Sequence, residues 1–265
     1  MKTAFSTLCC LDYSLDDILE LAVSCKMDAI ELRVDDRMLE NISDASSWGA
    51  RVREAGIKVC DVASSIFILD ENLTDKAQAY VDLAGNVGAD AVRIFAGRMP
   101  ESLDNTEICN LNDIATALKK LCEMAEEAGL EVWLETHSEF STGKRSMELI
   151  RAVDMPNLKI LWDVLHSLEF GESLDESISN IGDKLAHVHI KDAHLPNNES
   201  FIYPLCDLGD GVFPIAELKE KLDAAGYDGY YSLEWESPWC PEIRDIYTDP
   251  HVLLKRYNDY LLEVE

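Results

Sequence analysis

The feature that most constrains this chain is an alternation. Eight short apolar stretches, at residues 3–8, 29–34, 57–64, 91–95, 131–136, 159–164, 185–191 and 230–234, are each followed by a segment whose apolar residues recur at helical spacing. Short apolar runs bounded by turn residues read as buried strands, and strands that alternate with helices build a parallel sheet covered by those helices. The helical segments are expected near 15–24, 45–55, 74–87, 112–128, 146–153, 174–181 and 215–225, with Ser14 and Thr74 as N-caps and Pro250 opening a last helix to residue 264. Gly56, Gly88, Gly129 and Gly226 stand where a helix must close before the next strand. Eight such units predict a (β/α)8 TIM barrel, an α/β fold in which residues 1–265 form a single domain. An open doubly wound sheet is the alternative. Against it, no G-x-G-x-x-G follows the first strand, and acids and histidines recur on strand faces that an open sheet would keep apolar.

The chemistry concentrates in residues 185–192, L-A-H-V-H-I-K-D. With the two-residue period of a strand, Leu185, His187, His189 and Lys191 share one face and Ala186, Val188 and Ile190 the other. The stretches E-V-W-L-E-T-H, K-I-L-W-D-V-L-H and Y-Y-S-L-E-W-E have the same form, with an acid near the C-terminal end of the inward face. A barrel of this type carries its site at the C-terminal ends of its strands, so Glu135, Asp163, His189 and Glu234 are expected to converge. Three carboxylates and an imidazole cannot share a pocket uncompensated, because like charges and desolvation raise the cost of ionisation. A divalent cation resolves this. Oxygen-dominated ligation with one nitrogen suits Mn²⁺, Mg²⁺ or Co²⁺ better than a structural zinc site.

Around these four, other residues are candidates for contact with a substrate. His137 and His166 lie just beyond ligand-bearing strand ends, and His187 sits two residues deeper than His189, as a substrate or ligand-orienting group or as a buried structural histidine. Lys191 is a cation suited to an anionic or enolate oxygen, or else a surface lysine. Arg33 and Glu31 would pair across the barrel mouth or simply stabilise it. Trp133 is expected to fill the barrel, and Trp239 is a candidate for contact with substrate or with a second subunit of a homo-oligomer.

Charge narrows the partners. Lys+Arg total 23 against 51 Asp+Glu, a net charge of -28 that repels phosphate backbones and anionic membranes, so no nucleic acid is expected. No apolar run approaches the roughly 18 residues of a membrane span. Eight cysteines without a C-x-x-C pair, and an N-terminus without a signal-like pattern, suggest a reduced, cytoplasmic protein. No phosphate-cradling motif is present, which favours an unphosphorylated substrate. The connections over 98–110 and 193–213 are polar, and the second is long enough to act as a lid or binding loop.

L-E-T-H at 134–137, W-D-V-L-H at 162–166, H-V-H-I-K-D at 187–192, L-G-D-G-V-F-P at 208–214 and S-L-E-W-E at 232–236 together resemble the sugar phosphate isomerase/epimerase family. This is the xylose-isomerase-like TIM-barrel group, which also holds ketose 3-epimerases, inosose dehydratases, hydroxypyruvate isomerases and a branch of apurinic endonucleases. The resemblance implies that Glu135, Asp163, His189 and Glu234 are the metal ligands, with His166 and His187 near the substrate. Where ketose 3-epimerases carry a sugar-binding arginine after the histidine ligand, this chain has Leu195, which leaves Lys191 or His194 to substitute.

Three activities are compatible with this set. The first is a metal-dependent isomerase or epimerase of a small keto sugar or polyol, in which Glu135 and Glu234 pass a proton through a metal-bound enediolate. The second keeps the site but expels a hydroxyl, a dehydratase or lyase on an inosose-like or keto-glycoside substrate, with His166, His187 or Lys191 as the acid. An apurinic-type endonuclease is disfavoured, since it needs a basic groove and further metal ligands, and a non-catalytic sugar-binding protein is the remaining reading.

Overall fold

The computed structural model describes residues 1–35, 39, 44–68, 73–97, 110–197 and 202–264. Its strands are β1 (Lys2–Ser6), β2 (Ala29–Arg33), β3 (Lys58–Phe67), β4 (Ala91–Phe95), β5 (Glu131–Glu135), β6 (Leu158–Asp163), β7 (Leu185–Ile190), β8 (Asp192–Ala193), β9 (Leu205–Cys206) and β10 (Tyr230–Leu233). Eight of them pair in parallel around a closed barrel, β1 to β7 in chain order with β10 between β7 and β1. Closure excludes the open doubly wound sheet.

Alternation along each strand divides the side chains into two sets. Phe5, Ile30, Val62, Val92, Leu134, Ile160, Val188 and Leu233 face outward and are buried beneath the helices. Ala4, Ala29, Cys60, Ala91, Trp133 and Leu161 form a smaller cluster inside the barrel. Trp133 therefore fills the barrel, as expected. Above that layer the inward positions are polar and lead to the C-terminal rim.

Of the three register shifts between barrel strands, two rearrange the inward faces near the site. The β2–β3 register shifts so that Ile30 faces Val59 while Glu31 faces Asp61, which makes Cys60 a bulged residue and brings Cys60 and Asp61 to the interior together. The β6–β7 register shifts between Ile160 and Leu161, with Leu185 opposite the first and His187 opposite the second. Leu185 consequently packs with the outer core and Ala186 with the inner cluster, the reverse of a strict two-residue period.

The helices follow their signals closely. Ser14 and Asp17 form a capping box at Leu15–Ser24, and Ser173 with Glu176 does the same at Leu174–Ile181. Thr74 does not cap: the helix Leu73–Val87 already contains it. Asn110 caps Leu111–Glu127 by accepting from the Asp113 amide. Two further elements have no counterpart in the apolar periodicity. After Ser6 the chain turns into the 3-10 segment Thr7–Cys10, and Asp163 starts a short helix, Val164–Glu169, by accepting from the His166 amide at 3.3 Å.

Among its described residues, 193–197 and 202–213, the connection after β7 is also more ordered than its composition suggests. β8 and β9 pair antiparallel across it. At its base the Asp192 carboxylate accepts from the amides of Gly209, Gly211 and Phe213 at 2.9, 3.1 and 3.0 Å. Glycine is required at 211, since a Cβ there would lie 2.2 Å from Asp192 Oδ1. The expected loop over 98–110 falls outside the described residues apart from Asn110. Among the described residues no helix is long and apolar enough to cross a membrane, and the seven described cysteines are unpaired.

Candidate metal centre

Strands β5, β6, β7 and β10 deliver Glu135, Asp163, His189 and Glu234 to one place. One ligand atom from each lies within 4.8 Å of the others, and all four residues are buried. His189 Nδ1 is 3.1 Å from Glu234 Oε2 and 3.8 Å from Asp163 Oδ2. Glu135 Oε2, Asp163 Oδ2 and His189 Nδ1 are buried atoms to which no hydrogen-bonding partner is aligned. Buried polar atoms are rarely left so. A convergent, buried set of three carboxylates and one imidazole, whose like charges Arg93 and Lys191 offset only in part, fits a divalent cation.

The surroundings show how the charges are balanced. Burial pushes Glu135 up to about 7 against the pull of Arg93, whose Nε lies 3.2 Å away, and Glu234 adds to the rise. Burial works against the ionised form of Asp163 too, but His166 and Lys191 outweigh it and hold this carboxyl below the usual range. His189 is raised well above an ordinary histidine because Glu234 and Glu31 overcome its burial. Glu31 reaches in from β2. Its Oε2 lies 2.7 Å from His189 Nε2 and 3.3 Å from His187 Nε2, and it accepts from Ser232 Oγ at 3.3 Å. Glu31 does not pair with Arg33; the Arg33 guanidinium instead donates to Val34 O, Ala63 O and Ser65 Oγ.

Lys191 is not a surface lysine. It is 3% exposed, and its Nζ lies 2.7 Å from Asp163 Oδ2 and 2.5 Å from both Glu234 Oε2 and Glu236 Oε1. Its ammonium is thus already engaged by three carboxylates, where the sequence suggested a cation held out to a substrate oxygen.

A cavity of 420 Å³ opens beside the four convergent residues, lined among others by Arg33, Phe67, Phe95, His137, His166 and Trp239. His137 packs between Phe95 and His166, with ring centroids 4.7 and 4.8 Å away, and burial together with His166 pushes it down to about 3. His166 Nδ1–H donates to Glu169 Oε2 at 2.8 Å; burial opposes its charge, but Asp163 and Glu169 raise it to about 9. Trp239, 57% exposed, stands at the mouth. His187 is elsewhere. It is fully buried below His189, stacked on Trp133 at 5.1 Å, and does not line the cavity, because two residues back along a strand is one layer deeper in the barrel. Arg33 was expected at the barrel mouth, whereas Phe67 and Phe95 had no sequence signal, since β3 and β4 end in residues that read as ordinary apolar strand positions. The role of Glu31 was readable only as the inward acid of E-L-R at the end of β2.

Comparison with known proteins places this geometry among relatives. The family model for the xylose isomerase-like TIM barrel matches residues 19–256. An uncharacterised protein of Methanocaldococcus jannaschii is 27% identical over 190 residues, 69% of this chain and 61% of that protein. Fructoselysine 3-epimerase of Escherichia coli O157:H7 is 26% identical over 136 residues, 49% of this chain and 48% of the enzyme. For 3-dehydroshikimate dehydratase of Bacillus anthracis the figures are 27% over 183 residues and 62% of each chain. The matched region is thus less than two thirds of the length of each relative. Among solved structures, an L-ribulose 3-epimerase superposes with a TM-score of 0.80 at 18% identity, covering 100% of this chain and 94% of the other. A zinc-containing IOLI protein superposes with 0.78 at 18% identity, covering 100% and 98%. At these identities the superpositions speak for the fold.

Proposed function

This chain belongs to the xylose isomerase-like TIM barrel family, and from that premise we propose that it is a divalent-metal-dependent isomerase or epimerase of a small keto sugar or polyol. The observation that carries the proposal is the convergence of Glu135, Asp163, His189 and Glu234, all four buried, at the edge of a cavity of sugar size. Fructoselysine 3-epimerase among the relatives supports the same reaction class.

In this proposal Glu135, Asp163, His189 and Glu234 hold the ion, which is Mn²⁺, Mg²⁺ or Co²⁺. When bound, such an ion supplies Lewis acidity to substrate oxygens. The chain's own groups do the rest. Glu135 and Glu234 contact opposite sides of the reacting carbon, one removing a proton and the other returning it. Arg93 keeps the Glu135 carboxylate in place through their 3.2 Å ion pair. Lys191 holds Glu234 and Asp163 and offsets part of their repulsion. His137, His166 and Trp239 bind and orient the sugar hydroxyls and, with Phe67 and Phe95, keep water from the reacting carbon.

A second reading, a dehydratase or lyase, is favoured by one observation. His166 lines the cavity and is held protonated to about pH 9 by Asp163 and Glu169 against the effect of burial, the state needed to protonate a departing hydroxyl. Incubation of the metal-loaded protein with a panel of keto sugars and inososes in D₂O separates the two. Carbon-bound deuterium without loss of water supports the isomerase; loss of water supports the dehydratase; neither outcome across the panel refutes both.

A further inference from the structure

Beneath the four convergent residues lies a second group with ligating atoms. A ring nitrogen of His187, the Cys60 thiol and a carboxylate oxygen of Asp61 lie within 4.8 Å of one another, on side chains with no exposed surface. Asp61 Oδ2, both ring nitrogens of His187 and Oε1 of adjacent Glu31 are buried without an aligned hydrogen-bond partner. His187 Nε2 has the 3.3 Å approach of Glu31 Oε2, and the other three atoms, on three neighbouring side chains, are a cluster that a native interior seldom leaves unexplained. The bulge in β3 creates this arrangement, because it turns two consecutive residues, Cys60 and Asp61, toward the barrel axis. The surrounding inward positions are the small Ala4, Ala29 and Ala91, together with Leu161 and with Trp133, which stacks on His187.

We propose that Cys60, Asp61 and His187 form an inner metal site, separate from the outer set, that takes one divalent ion of zinc-like character. Thiolate, imidazole and carboxylate together suit a borderline-soft ion, in contrast to the oxygen-rich outer set. Without a cation Cys60 stays a thiol, donating to Ile30 O at 3.2 Å, since burial and the nearby Asp61 carboxyl push it well up. Binding displaces the thiol proton to solvent. The site is structural. By fixing His187, which stacks on Trp133 and lies 3.3 Å from Glu31 Oε2, the inner ion positions the carboxylate that also holds His189.

Sulfur occurs only in the inner set, which makes the test specific. The chelator-treated full chain is titrated with Co²⁺, and bound metal is counted by elemental analysis while absorbance is followed in the near ultraviolet. Two ions per chain are expected, one of them giving a thiolate-to-cobalt charge-transfer band. Cys60→Ser should abolish the band and reduce the count from two to one. Asp61→Asn, which preserves shape if the serine variant does not fold, should weaken the ion that gives the band at least tenfold and leave the other unchanged. One ion and no band in the parent protein overturns the inner site, and so does a band that survives Cys60→Ser or is unaffected by Asp61→Asn. The outer ion gives no such band, so its absence is read separately and counts against the proposed function instead.

Discussion

Glu31 Oε2 lies 2.7 Å from His189 Nε2, so a carboxylate on β2 fixes the ring of a histidine three strands away around the barrel. The contact settles which ring nitrogen faces the convergent carboxylates: Nδ1, 3.1 Å from Glu234. A histidine held at one nitrogen by a carboxylate is oriented, and made more basic, at the other. Glu31→Gln should therefore lower affinity for the outer ion by about 10–100-fold without removing a ligand. Isothermal titration of the chelator-treated protein with Mn²⁺ measures it, and unchanged affinity would release Glu31 from this role.

Asp163→Asn and His189→Ala should lose metal affinity and activity together. His187→Ala, one layer deeper, should retain the outer ion with smaller loss. The comparison is a metal titration beside turnover for all three variants, and tight binding of the outer ion by both ligand variants would refute the assignment on β6 and β7.

Glu234→Gln keeps one carbonyl oxygen able to coordinate and loses the base. Turnover should fall by about 10²–10⁴-fold, the usual scale of general acid–base catalysis, while the ion is held more weakly. Glu135 should still wash out deuterium from one substrate epimer in this variant. Glu135→Gln should do the converse with the other epimer, and equal loss of exchange from both epimers in both variants would contradict a two-base mechanism.

His166 makes stability depend on pH. Its folded pKa, about 9, is above its ordinary 6.5, with the Asp163 carboxylate and Glu169 prevailing over burial. A raised pKa means the protonated form is the one the fold favours. The contribution is complete below about pH 6.5 and is lost as pH rises through about 9. Thermal unfolding of the chelator-treated protein should show Tm falling across this window, and His166→Asn should flatten that part of the profile. An identical slope in the variant would assign the dependence to other groups.

Most of the barrel was legible in the sequence because its signals are local. Glycines at 56, 88, 129 and 226 adopt positive φ where helices end, and the strands between them are short and apolar. The convergent residues were legible for a related reason: each is the last inward residue of its strand or follows it directly, and barrel closure brings such positions together. Register was not legible. Nothing in K-V-C-D-V or L-A-H-V announces a bulge, yet bulges decide that Cys60 and Asp61 both turn inward and that Leu185 and Ala186 exchange sides. Long-range pairing was equally hidden. Lys191 looked like a free cation because the three carboxylates that engage it come from β6 and from the segment after β10. The aromatic wall of the cavity was missed because Phe67 and Phe95 read as ordinary strand residues.

The Asp192 carboxylate, which gathers the amides of Gly209, Gly211 and Phe213, has a consequence for how such a barrel can diversify. With the β8–β9 pairing it ties together the two ends of the segment between β7 and the helix Ile215–Ala224, so the stem is held close to the strand end. Lengthening a loop whose ends are already held costs only about 0.6 kcal/mol per doubling. Insertions and deletions beyond this stem can therefore accumulate without disturbing the barrel strands, and the connection that leaves the C-terminal end of β7 becomes an exchangeable part while the residues on the strands stay fixed.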